Sequence, residues 1–325
     1  MNAPGPPVLM IGGSGRSGTT VLARVFASHP LIATVPEIRL LTDPDGLLDF
    51  LSGYEAWSPY VMDFRLRRLE RFFHDLRRGG CVHRILRGMN RRQCWRRTEV
   101  PHASFEVVRH CPDFHTLGAE LIEALTAMKF EGEHAAMRFL SRKSVRIALP
   151  DRSAAEAAVS EFLHRVAASA ASHQGRTHFL EKNTWTYLHF GQVRRLMPSA
   201  RMVHITRHPC DVVASFTKQP WMPTDPMQAA FVFRALMARW RTERAAVPAS
   251  SILEVSLERI CADPSSALSR ICGWWGIPMS DSLLAIDLSR SNAGRWRRDI
   301  PPELHGRLLA ELAREIEEFE GVYSA

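Results

Sequence analysis

The residues with the clearest chemical purpose stand in GGSGRSGTT, Gly12 to Thr20. A glycine-rich turn between a short apolar run and a helix points main-chain N–H groups inward and adds the positive end of the helix dipole. Such an arrangement binds oxyanions. Gly13 and Gly18 are spaced as in the G-x-x-x-x-G-K-[ST] loop that wraps nucleoside triphosphates. Thr19, however, stands where that loop carries its lysine, and Arg16 brings a cation earlier in the turn. The stretch reads as an anion site built on Gly15, Arg16, Ser17, Gly18, Thr19 and Thr20. A purely structural glycine turn is the competing account.

A triphosphatase also needs an acid at the end of a neighbouring strand to hold Mg²⁺. The best candidate strand, ARMVHITRH, ends in Arg207 and His208 instead. Arginine in that place suits a phosphorylated ligand bound without a metal, and no metal site is assigned. Cys94, His102, Cys111 and His115 match no common zinc spacing and read as structural residues.

Two loops in this order resemble those of the sulfotransferases that use 3′-phosphoadenosine 5′-phosphosulfate (PAPS). GRSGTT is similar to the family's loop for the 5′-phosphosulfate. RHPCDVVASF is similar to its loop for the 3′-phosphate, with Arg207 followed eight residues later by Ser215. The layout Arg16, His29, Pro30, Glu37, Arg39 looks like the tyrosylprotein and heparan-type branches, in the first of which the matching glutamate is the general base. EKNT resembles the family's lysine-bearing strand end, which implies a catalytic role for Lys182. SNAGRWRRDIP resembles the late G-R-W-R stretch of bacterial members, which implies that Arg295, Trp296 and Arg297 close over the nucleotide. Two departures stand out: Leu257 replaces the usual tyrosine of Y-E-x-L, and Thr184 replaces a proline after Lys182-Asn183.

The resemblance implies PAPS as co-substrate, no required metal, and transfer of its sulfuryl group to a hydroxyl acceptor that is a small molecule, a lipid-like molecule or a peptide. Glu37 is the expected base, with His102 or His110 as substitutes, and Arg16 and Lys182 are the expected catalytic cations. Each has a plain competitor. The lesser readings are Glu37 as a partner of Arg39 or a helix cap, Lys182 as an exposed strand-end charge, Ser215 as an ordinary helix residue, and the two late arginines as covers for the Trp296 ring. A small-molecule kinase is the alternative enzyme, and a basic nucleotide-sensing or nucleic-acid-binding protein the non-enzymatic one.

Positioning such groups requires strands alternating with helices. Val8 to Gly12 reads as a strand, TTVLARVFASHP as a helix, THFLEKNT as a strand, WTYLHFGQVRRLM as a helix, and ARMVHITRH as a strand before a helix from about Pro209. MQAAFVFRALMARWRTERAA, SSILEVS and PSSALSRICGWWGIP continue as helix, strand and helix. This alternation predicts a three-layer αβα fold with a central parallel sheet, whose ligands bind at the carboxyl ends of the strands. The expectation is one domain over residues 1–325, with a mostly helical insertion at about 46–176.

That insertion holds a dozen arginines between Arg65 and Arg97. Without aromatic platforms or a recognisable nucleic-acid motif, they read as a solvated basic face, and no nucleic acid is expected as partner. Trp57, Tyr54, Tyr60 and Trp95 read either as an acceptor pocket or as core. A formal charge of +8 over 325 residues fits an anionic ligand. Scattered cysteines, no spanning apolar run and no signal-like start favour a cytoplasmic protein without a stable membrane anchor. The sequence names neither the acceptor nor the oligomeric state.

Overall fold

The computed structural model describes residues 5–35, 37, 39–77, 107–132, 144–288 and 292–324. Cys81, Cys94, Trp95 and His102 lie outside them. The chain divides into two compact units, 1–6 with 33–179, and 7–32 with 180–325.

The second unit carries the phosphate loop. β1 (Val8–Gly12) is buried along its whole length, the pattern of a parallel strand covered on both faces. It leads into α1 (Thr19–Ala27). β2 (Ile32–Thr34) spans the boundary between the units. Then follow, in the first unit, α2 (Leu47–Ser52), α3 (Pro59–Arg77), α4 (Phe114–Ala124), β3 (Thr126–Glu131), β4 (Ser144–Ala148) and α5 (Arg152–His173). The chain returns through β5 (His178–Lys182), α6 (Phe190–Leu196), β6 (Arg201–Thr206), α7 (Pro209–Phe216), α8 (Pro226–Ala245), β7 (Ile252–Ser256), α9 (Leu257–Ala262) and α10 (Pro264–Trp275). It ends with α11 (Trp296–Asp299), α12 (His305–Glu311) and α13 (Ala313–Ser324).

The strand order is β2-β5-β1-β6-β7. β1 and β6 pair in parallel with Ile11 opposite Val203, and β6 and β7 with Ile205 opposite Val255. This is the expected α/β fold. One apolar layer joins Leu9, Ile11, Leu22, Phe26, Val203, Val255 and Leu268, and a second joins Val212, Phe216, Phe233, Trp296 and Leu308. The helices around the strand ends are capped by short polar side chains: Asp225 accepts from Gln228 N–H, Ser256 from Arg259 N–H, and Asp263 from Ser266 N–H. α10 stops at Gly276, whose φ of 85° is the left-handed turn that glycine takes without strain.

The first unit packs Phe73 against Phe114 and Phe162, with ring centroids 5.8 Å and 5.3 Å apart. β3 and β4 form an antiparallel pair that the sequence reading missed. The early arginines of the insertion are neutralised locally: Arg65 pairs with Asp49, Arg67 with buried Asp63, and Arg68 with Asp45. Among the described residues no helix is long and apolar enough to cross a membrane.

Candidate active site

The phosphate loop is held in an unusual conformation. Gly15, Arg16 and Gly18 have φ of 72°, 59° and 106°. For Arg16, a non-glycine residue, that region costs energy and marks a turn fixed by its surroundings. A Cβ on Gly13 would lie 2.5 Å from Ser17 Oγ and 2.6 Å from the Ile205 carbonyl oxygen, so the loop lies directly on β6. Ser17 Oγ is buried and bonds no atom among the described residues. α1 starts at Gly18 without a side-chain cap, which leaves its first N–H groups for a ligand.

The second loop meets the first. Arg16 Nε donates to Ser215 Oγ at 3.0 Å, across 199 residues of sequence. Arg207 donates to the Arg16 carbonyl at 3.3 Å and to the Asn292 carbonyl at 3.0 Å. Arg16, Gly18, Thr19, Thr20, Arg207 and Leu257 line one cleft of about 210 Å³. Burial pushes the Arg207 pKa down, the nearby Arg16 and Arg295 push the same way, and Asp211 and Glu258 oppose them. An anion in this cleft relieves that crowding of positive charge. Leu257, in place of the usual tyrosine, packs on the turn: its Cδ1 would meet a Cβ on Gly18 at 2.9 Å.

The C-terminal segment is tied down by a residue that sequence reasoning passed over. Asp211, in the first turn of α7 and buried, accepts from Gly294 N–H at 2.8 Å and Trp296 N–H at 2.9 Å. The only sequence signal was its place in RHPCDVVASF. Trp296 is buried, and Arg297 lies 4.7 Å above its ring, so that arginine does cover the indole. Arg295 pairs with Asp299. Neither arginine lines the cleft that holds Arg16 and Arg207, and Arg295 reaches it through charge. Nearby Glu258 accepts from His208 N–H at 2.9 Å.

Lys182 ends β5, and Asn183 accepts from Trp185 N–H at 3.0 Å in a tight turn beside it. Glu37 and Arg39 follow β2 and belong to the first unit. His29 is fully buried and structural. Its Nδ1 accepts from Leu31 N–H, which puts the proton on Nε2, donating to the Pro278 carbonyl at 2.9 Å.

The sequence matches the model of the sulfotransferase family over residues 7–281. No curated protein matches it. Among solved structures, the sulfotransferase domain from the curacin biosynthetic pathway is similar with a TM-score of 0.48 at 13% identity, over 96% of this chain and 99% of that one. The sulfotransferase domain of the Synechococcus PCC 7002 olefin synthase gives 0.46 at 17%, over 98% and 97%. Sulfotransferase STF9 from Mycobacterium avium gives 0.47 at 15%, over 97% and 77%.

Proposed function

This chain belongs to the sulfotransferase family, and from that premise we propose that it moves the sulfuryl group of PAPS to a hydroxyl acceptor. The observation that carries the reading is Arg16, which lines one cleft with Arg207, accepts a hydrogen bond from it at its carbonyl and donates to Ser215. A ligand with phosphates at both ends of a nucleoside suits that spread of cations and hydroxyls better than a triphosphate. The nearby acids Asp211 and Glu258 both accept main-chain N–H groups.

In this reading main-chain N–H groups from Ser17 to Thr20 hold the 5′-phosphate, and Arg207 and Ser215 hold the 3′-phosphate, the arginine by paired hydrogen bonds. Arg295, Trp296 and Arg297 fix the closing segment over the nucleotide. Glu37 takes the acceptor's proton as the acceptor oxygen bonds to sulfur and the bond from sulfur to the bridging phosphate oxygen breaks. Arg16 and Lys182 stabilise the negative charge that gathers on that oxygen. The products are the sulfated acceptor, the protonated Glu37 and 3′-phosphoadenosine 5′-phosphate (PAP).

Thermal unfolding with PAP tests this directly. A ligand at 100 times its dissociation constant adds about 2.7 kcal/mol of stability. The expected result is a raised midpoint with PAP and none with ATP and Mg²⁺. A magnesium-dependent rise with ATP alone overturns the donor assignment in favour of a kinase. Glu37→Gln should keep the PAP response and lose turnover; unchanged turnover removes Glu37 from the base role.

A further inference from the structure

The loop that carries the proposed sulfuryl donor has a second face. At Gly15 a Cβ would lie 3.3 Å from the Thr184 methyl, 3.6 Å from the rim of the Trp221 ring and 3.9 Å from Phe216. Trp185, next to Thr184, stands edge-on to Trp221, with centroids 6.2 Å apart and an angle of 86°. Phe216 backs Trp221 at 6.1 Å. Neither tryptophan lines the cleft that holds Arg16 and Arg207. They sit beside the strand end that bears Lys182.

Trp221 is 51% exposed, whereas Trp240, Trp275 and Trp296 are at most 5% exposed. Half an indole left in water beside a reactive loop forfeits the burial that makes tryptophan useful in a core. Two indoles at right angles present one face and one edge. An aromatic ring lies against the face while it meets the edge, the two geometries aromatic pairs prefer. Of the three side chains nearest a Cβ at Gly15, Thr184, Trp221 and Phe216, two are aromatic and one carries a hydroxyl, surroundings that suit a ring better than the many hydroxyls of a sugar. Lys218, three residues before Trp221, is paired with Asp299 and is not left to an anionic acceptor.

We propose that Trp185 and Trp221 bind the acceptor, and that the acceptor is an uncharged aromatic hydroxyl, a phenol. This rests on the donor reading above. The chemistry agrees: a phenol, with a pKa near 10, gives its proton to a carboxylate base more readily than an alkyl or sugar hydroxyl does. Gly15 then serves both sides of the loop, since any side chain there would crowd the corner.

The test is titration of the PAP-saturated protein with 2-naphthol, 1-octanol and glucose, followed by saturation-transfer NMR. The wild type should bind 2-naphthol saturably and in preference to the other two. Trp221→Ala should weaken that binding about tenfold, and Trp221→Phe, which keeps a ring, only about twofold. All variants should keep the wild-type PAP response. Equal 2-naphthol affinity in Trp221→Ala, or preference for octanol or glucose, overturns the proposal. If Trp221→Ala does not fold, Trp185→Phe and Trp221→Phe decide it: the edge-on pair must lose affinity when either indole is reduced. A missing PAP response in the wild type sinks the donor reading instead, and the same titration on the protein without nucleotide still judges the corner.

Discussion

The two faces of the phosphate loop are built on opposite principles. On the proposed nucleotide side the charged residues are tied: Arg16 to Ser215, Arg207 to two main-chain carbonyls, and Asp211 to two main-chain N–H groups. Charge is crowded there and positions are fixed before any ligand arrives, which is how an oxyanion site gains strength without reorganising. On the other side two indoles and a phenylalanine meet through ring edges, with Trp221 half in water. A bonded charge network tolerates one ligand shape; an aromatic corner accepts a class.

The comparison is sharpened most by removing the cation at the centre of the network. Arg207→Ala should weaken PAP binding about 100-fold, the loss expected for two charge-assisted hydrogen bonds to a phosphate. It should leave 2-naphthol binding at the corner unchanged, because neither indole touches Arg207's cleft. Calorimetric titration with each ligand checks both halves. Parallel losses would mean the two faces are one site.

The same division explains what the sequence revealed. β1, α1, β6 and α7 were legible because an apolar run bounded by glycines or a proline has few other structures open to it; Arg16, Arg207 and Ser215 could be proposed as a set from residue type and spacing, and the structure brings the three into contact. The late part of the site was harder. Arg207 is anchored by the carbonyl oxygens of Arg16 and Asn292, and a main-chain acceptor leaves no trace in residue identity. Trp185 and Trp221 come from separate segments with no shared period, so no spacing pointed to their meeting. β2 has only three residues, Ile32–Thr34, too few to show an alternation. β3 was hidden for a different reason: its residues are mostly exposed, so it lacks the inward apolar face that marks a strand.

Asp211→Asn separates position from charge on the nucleotide side. The amide keeps one acceptor and sets an NH₂ group against one of the two N–H groups it replaces, with a penalty of about 1–3 kcal/mol for the buried clash of donors. Removing the negative charge, taken alone, makes the cleft more positive and should tighten PAP. Loosening the 292–297 segment withdraws the Asn292 carbonyl from Arg207 and should weaken it. The expected outcome is about tenfold weaker PAP binding, since a misplaced arginine loses its paired geometry. Tighter binding in equilibrium titration would show that Asp211 acts only through its charge.

The smallest effect belongs to Asp299, at the outer edge of the same segment. The hydrogen bond from Lys218, helped by those from Arg295 and Arg298 and opposed by burial, holds its carboxyl down from the ordinary 3.8 to about 2. A carboxyl whose pKa is depressed by folding stabilises the fold fully above its unfolded pKa and loses that contribution as pH falls through the folded one. The Asp299 contribution is therefore whole above about pH 4 and gone near pH 2. Because the pairs lie at the surface, it amounts to less than about 1 kcal/mol. Urea midpoints for wild type and Asp299→Asn should differ slightly at neutral pH and converge between pH 4 and 2. A gap that persists at pH 2 would mean that the variant has disturbed the packing of Trp296 beneath it, and the rigidity of the nucleotide side would then reach further out than its charges do.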